Sequence, residues 1–180
     1  MTHTLLPTEI IFETPRLRLR TLNANDADFF LRLVNEPSFI ENIRDKGIRS
    51  LADAENAIQA GHRDVQAKMG FSLYLVERKE DGAAIGLCGL VKRDGLPGID
   101  IGYAYLPEYG RKAYAYEANV GLLQYAESKL GLTELLAIVS PHNAASCQLL
   151  EKLGFVFHEM KDLNGGDMVK LFKIQLTKTQ

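Results

Sequence analysis

Ile99-Asp100-Ile101-Gly102-Tyr103-Ala104-Tyr105-Leu106-Pro107-Glu108-Tyr109-Gly110-Arg111-Lys112-Ala113-Tyr114-Ala115 is the stretch on which the reading of this chain turns. An apolar strand over Ile99 to Leu106 runs into a short basic turn, and a long helix opens at Arg111. Its inward positions are Ala115, Ala118, Val120, Leu122, Leu123 and Ala126, and Leu130-Gly131 supplies a glycine stop. The first N–H groups of a helix lack intrahelical partners and sit at the positive end of its dipole, so anions bind there. Gly110, Ala113 and Ala115 are small enough for phosphates to approach the backbone, and Arg111 and Lys112 bring charge. The turn reads as a diphosphate site, with a basic helix start on a solvated face as the plainer alternative. It is neither a Walker loop nor the glycine-rich dinucleotide fingerprint.

Outward from that stretch, Leu135 to Val139 is a continuous apolar strand that ends at Ser140-Pro141-His142-Asn143, and a helix follows from Asn143 to Leu153. Strands near Phe155 to Met160 and Met168 to Leu176 finish the chain. Upstream, Phe71 to Val76, Ala84 to Val91 and Ile99 to Leu106 are separated by Glu80-Asp81-Gly82 and Asp94-Gly95-Leu96-Pro97-Gly98, which predicts an antiparallel meander. Residues 10 to 20 alternate as one half-buried strand, with Arg16, Arg18 and Arg20 on a solvated face. Asn23 or Asn25 caps a helix containing Phe29, Phe30, Leu33 and Val34, which Pro37 ends. A second helix runs from Ser50 to about Lys68 with Leu51, Ala54, Ile58 and Val65 inward, and Glu36 to Arg49 between them reads as an irregular connection. Strands with helices interposed in this order predict an α+β sheet covered by helices on both faces.

The bulk properties predict one soluble domain over residues 1–180, located in the cytoplasm. A chain of 180 residues with 46% apolar content can build one core. A net charge of -2 argues against nucleic acid as a partner. No run approaches about 18 apolar residues, the length of a membrane span, and Met1-Thr2-His3-Thr4 lacks the features of a signal peptide, so no membrane association is expected. Cys88 in an apolar strand and Cys147 in a helix read as packing thiols of a reducing compartment. His142 and His158 lack metal-ligand spacing, and no metal is expected.

Four stretches together resemble the GNAT acetyltransferase superfamily, and within it the RimJ/RimL-type N-acetyltransferases. They are Glu13-Thr14-Pro15-Arg16-Leu17-Arg18-Leu19-Arg20; Asp100-Ile101-Gly102-Tyr103 through Pro107-Glu108-Tyr109; Tyr114-Ala115-Tyr116-Glu117-Ala118; and Asn143-Ala144-Ala145-Ser146 leading to Leu150-Glu151-Lys152-Leu153-Gly154-Phe155. The resemblance implies the GNAT fold, a mixed, mainly antiparallel twisted sheet that splays between its fourth and fifth strands. It implies acetyl-CoA as cosubstrate and an amine-bearing acceptor, either a protein N-terminus or a small molecule, for a monomer or homodimer. The family's Arg/Gln-x-x-Gly-x-Gly/Ala pyrophosphate turn falls on Gly110, Arg111, Lys112, Ala113, Tyr114 and Ala115, departing from the pattern at Gly110 and Ala113. Alanine fits there without strain if its backbone angles are helical. The backbone of Tyr105 and Leu106 is implied to pair with the pantetheine arm across the splay, and Asn143, also a helix cap, to contact it from the other side.

Amine acetylation needs a neutral amine, hence a base or a water chain. The family's carboxylate on the fourth strand corresponds to Asp100, acting through water; its plainer reading is a surface carboxylate after the Pro97-Gly98 turn. Glu108, Asp162 and Asp167 are the other acidic candidates, with Glu108 better suited to fixing the loop. The thiolate leaving group is helped by a proton donor. The usual family tyrosine falls on Leu150, so Ser146 is the implied substitute, against a mid-helix serine bonded to its own backbone. The leading expectation is direct attack of a primary amine on acetyl-CoA in a ternary complex. Its alternatives are a noncatalytic CoA-binding module and an enzyme using a longer acyl donor.

Overall fold

The computed structural model describes residues 7–163 and 165–177. β1 (Ile10–Glu13) and β2 (Leu17–Arg20) form a hairpin in place of the single strand expected over residues 10 to 20. Pro15 has no N–H for a ladder, and the chain reverses around it, with the Thr14 N–H donating to Leu17 O at 2.9 Å. Arg18 and Arg20, expected merely to face solvent, are paired: Arg18 with Glu13 and Glu77, Arg20 with Glu77 and Asp26. The hairpin continues into a meander of β3 (Leu73–Arg78), β4 (Ala84–Lys92) and β5 (Ile99–Tyr105), all antiparallel as expected.

Asn23 closes a capping box with Asp26 ahead of α1 (Ala27–Val34), whose Phe30, Leu33 and Val34 are buried. That helix ends ahead of Pro37, as expected. Pro37 also opens α2 (Pro37–Asn42) at the first helical position, where a missing N–H costs nothing, so the first half of the connection expected to be irregular is helical. Ser50 and Asp53 form a second capping box at α3 (Leu51–Ile58), which continues through a π turn (Gln59–Arg63) into α4 (Asp64–Met69). Ala54 and Ile58 are buried as expected, whereas Leu51, the first residue after the cap, is 45% exposed.

β6 (Glu134–Val139), β7 (Val156–Asp162) and β8 (Met168–Gln175) complete an eight-stranded sheet of order β1-β2-β3-β4-β5-β6-β8-β7. Side chains alternate across it. Ile101, Tyr103 and Tyr105 face one core with α5 (Tyr114–Ser128) and α6 (Ala144–Leu153), while Ala104 and Leu106 face a second with α1 and α3. Helices therefore cover both faces. α5 approaches the sheet closely at Gly121, where a Cβ would lie 2.6 Å from the Phe12 ring.

β5 and β6 are parallel, and their pairing is confined to Asp100 opposite Leu136. Beyond that point β5 ladders only with β4, and β6 only with β8, so the sheet opens between β5 and β6. This is the splay expected between the fourth and fifth strands, with the β1–β2 hairpin counted as one.

Candidate active site

The helix α5 starts at Tyr114, three residues later than its pattern predicts. Arg111 and Ala113 have φ of 59° and 60°, left-handed values that end any helix and that explain why the family favours glycine at the position of Ala113. The condition under which alanine would be free of strain is thus not met. The two left-handed residues flank Lys112, and no side chain caps the α5 start, so its first N–H groups are open to an anion. The Tyr109 ring has the guanidinium of Arg78 at 5.1 Å and the ammonium of Lys112 at 5.9 Å, and Arg16 stacks on Tyr114, the first residue of α5, at 4.5 Å. A cleft of about 320 Å³ lined by Arg16, Arg78, Lys79 and Tyr114 adjoins the turn.

Glu117, one turn into α5, accepts from Thr14 Oγ1 (2.6 Å), from Arg16 N (2.8 Å) and from Arg16 Nε (2.6 Å), which fixes the helix start to the β1–β2 turn. Glu108 ties the preceding turn to α1 through Arg32 at 2.7 Å, the loop-fixing part expected of it. Glu117→Ala is expected to destabilise the fold by about 2 kcal/mol, since it breaks charged hydrogen bonds, and to weaken CoA binding through the loosened turn. Urea unfolding and calorimetry with CoA check both.

Of the two residues expected to offer their backbone across the splay, Leu106 is engaged within the chain. The Leu106 N–H donates to Ile85 O at 3.0 Å and its carbonyl accepts from Tyr109 N at 3.0 Å, so both backbone groups of Leu106 are engaged within the chain. Because backbone groups alternate direction along an antiparallel ladder, Tyr105 and Tyr103 turn theirs toward the splay. Tyr105 and Tyr103 thus have their backbone groups on the open side of β5, and Leu106 does not.

Asp100 is no surface carboxylate: it has 0% exposure, its Oδ2 accepts from Arg93 Nε at 2.9 Å, and its Oδ1 has no partner. Burial pushes its carboxyl up to about 6, against the pull of Arg93 and Lys92. By strand alternation it shares the α1–α4 side of the sheet with Ala104 and Leu106. His62, packed edge-on against Phe30, is on that side too; burial, then Lys46, pushes it down to about 4, so it is neutral at pH 7.

On the opposite face Asn143 caps α6, its Oδ1 accepting from Ser146 N at 3.1 Å. The Ser146 hydroxyl is not spent on its own backbone. It shares a hydrogen bond of 2.6 Å with the phenol of Tyr103, whose own pKa burial pushes up to about 12. A tyrosine therefore does stand at this point, delivered by β5, while the family's helical position, Leu150, is buried core. The sequence signal was Tyr103 two residues before Tyr105 on a strand facing a helix, but pairing across 43 positions leaves no local trace. Cys88 and Cys147 are buried, and burial pushes the Cys88 thiol up to about 12. Among the described residues no three His, Cys, Asp or Glu side chains gather as a metal would require, and no helix is long and apolar enough to cross a membrane.

Residues 16–156 match the family model of the acetyltransferase (GNAT) domain. The chain belongs to the GNAT acetyltransferase family. It is 30% identical over 148 residues to the N-acetyltransferase YoaA of Bacillus subtilis, itself uncharacterized, an alignment covering 81% of this chain and 82% of the relative. Its fold matches RimL, a ribosomal alpha-N-protein acetyltransferase, with a TM-score of 0.79 at 15% identity, covering 95% of this chain and 99% of RimL. It also matches spermidine N-acetyltransferase from Vibrio cholerae, solved with CoA and spermine, with a TM-score of 0.73 at 22% identity over 89% and 96% of the two chains. As a GNAT N-acetyltransferase the protein uses acetyl-CoA. The opened sheet and the uncapped start of α5 suit that cosubstrate, an extended amide-bearing arm ending in a diphosphate.

Proposed function

We propose that this enzyme, acting as a single cytosolic domain, passes the acetyl group of acetyl-CoA directly to a primary amine held on the α1–α4 side of the sheet. The observation that carries this reading is the unpaired edge of β5 at Tyr103 and Tyr105, which leads toward the uncapped start of α5. Gly110 to Ala115 bind the pyrophosphate, with Arg111 and Lys112 neutralising it. The pantetheine amides pair with the backbone of Tyr103 and Tyr105, and Asn143 flanks the arm.

Asp100 takes the ammonium proton of the acceptor through a bridging water, freeing the amine lone pair to attack the thioester carbonyl carbon. The carbon–nitrogen bond forms, the nitrogen gives up its second proton to solvent, the carbon–sulfur bond breaks, and the departing thiolate receives a proton from the Ser146–Tyr103 pair. Two hydroxyls in one hydrogen bond pass the deficit between them until solvent restores the proton.

Ser146→Ala and Tyr103→Phe are each expected to slow single-turnover acetylation at saturating acetyl-CoA by about 10², the lower scale of general acid catalysis. The double variant should be little worse than either single one, because the pair acts as a unit. Near-normal rates in both single variants, with any loss confined to acetyl-CoA affinity, would leave solvent as the proton donor.

A further inference from the structure

β7 forms one edge of the sheet, pairing with β8 alone, and β6 and β8 separate it from the opened edge of β5. The other edge, β1, is four residues long, whereas β7 runs for seven. A long edge offers unpaired backbone groups to another strand, and natural sheets guard against that with charges and bulges. β7 has both. Glu159 and Lys161 lie on it, and its register against β8 shifts between Phe157 and Glu159.

Neither device closes this edge. Directly opposite residues share a face of a sheet, so the ladder assigns the faces. Phe157 stands opposite Phe172, which belongs to the core shared with α5 and α6, while Met160 stands opposite Lys170 and Asp162 opposite Met168. Alternation along β8 puts Met168 and Lys170 on the same face as Phe172, and Leu171, with Glu159 opposite it, on the other face with Leu96 and Leu136. The extra residue at His158 therefore sets Phe157 and Met160 on one face, where regular alternation over three positions would divide them. With Met168 they form an apolar strip at the end of the sheet, and the three side chains are 48%, 42% and 46% exposed.

The charges on β7 say which strand fits it. When a strand pairs antiparallel with its own copy about a two-fold axis, one residue becomes its own partner. Centring on Glu159 or on Lys161 sets like charges directly opposite each other, which is destabilising. Centring on Met160, and nowhere else, sets Glu159 opposite Lys161 of the second copy, twice by symmetry. Neither Glu159 nor Lys161 forms an ion pair among the described residues, so both charges are available. The same register brings Met160 against Met160 and joins the apolar strips of the two copies. We propose that β7 is the contact between two copies of this chain, paired antiparallel about Met160 so that both sheets become one. The bulge and the charges then act as selectors, excluding other strands and other registers while admitting this one.

Sedimentation of the full chain over a concentration series tests this. The wild type should associate into a dimer and no further, because each copy has a single β7 edge. Glu159→Lys and Lys161→Glu should each weaken the dimer about tenfold, since two opposite-charge pairs become like-charge pairs. Mixed in equal amounts, the two variants should recover wild-type affinity as a heterodimer in which opposite charges meet again. Met160→Lys, which sets two ammonium groups together at the centre, should weaken the dimer more than either reversal. Calorimetric acetyl-CoA affinity should match the wild type in every variant, which shows that each is folded and keeps this result separate from acetyl transfer. A wild type that stays monomeric throughout the series would overturn the proposal. So would a dimer that the reversals leave intact, which places the contact on another surface, or a mixture of the two variants that associates no better than each alone.

Discussion

Asp100→Asn is expected to lower the single-turnover rate of acetylation by about 10² or more, the scale of general base catalysis, with acetyl-CoA affinity unchanged. The shape of the pH profile is the sharper result. The buried carboxyl is raised to about 6, so in the wild type the rate should fall as pH drops through about 6, where the carboxylate becomes protonated and can no longer accept a proton. The asparagine variant should lack that limb and retain only the dependence on the acceptor amine, whose own titration lies higher. A limb near 6 that persists in the variant would assign it to another group and return Asp100 to a structural role.

Folding carries the same signature with the opposite sign. Asp100 binds its proton more tightly in the folded than in the unfolded chain, so ionising it costs stability as pH rises between about 4 and about 6. Urea midpoints of the asparagine variant should therefore gain on those of the wild type across that window and keep the gain at neutral pH. Activity and stability move in opposite directions on one residue, the pattern of a group retained for chemistry.

The second large effect is expected at Ala113. Isoleucine there would have to hold a φ near 60° with a branched Cβ, and its side chain would crowd the N–H groups that face the diphosphate. CoA affinity should fall by about 10² or more, combining backbone strain of roughly 1–3 kcal/mol with the blocked approach. Ala113→Gly is the informative control. Relief of about 1 kcal/mol of left-handed strain is set against a smaller entropic loss from the freer unfolded chain, so affinity should hold or improve. Unchanged CoA binding in a folded isoleucine variant would place the diphosphate elsewhere.

How much of this was legible in the sequence depended on how local the cause was. Ser50, Asn23 and Asn143 announced their helices because a cap acts within three residues of itself. The meander was legible because turn residues and apolar runs alternate along the chain. The proposed base was legible as a position in a motif, but not its burial: that Asp100 is enclosed and shares Arg93 follows from strand pairing with both β4 and β6. The helix start was misplaced because composition at Gly110 to Ala115 says small and basic, while the left-handed angles at Arg111 and Ala113 are imposed by the fold around them. The family resemblance implies an open backbone at Leu106; only the register of β4 against β5 shows which residues face the splay. The same limit hid the Ser146–Tyr103 bond and the anchoring of Glu117 to the β1–β2 turn, each a contact between distant segments.

The central claim is that this protein carries acetyl groups from acetyl-CoA to amines, and release of free CoA thiol measures it most directly. With acetyl-CoA saturating, thiol should appear only when a primary amine is added, in step with acetylated amine detected by mass spectrometry, and the rate should fall in Asp100→Asn. Acetyl-CoA that binds tightly but yields no amine-dependent thiol across cationic, neutral and anionic acceptors would contradict the account and mark the chain as a CoA-binding module without transfer activity.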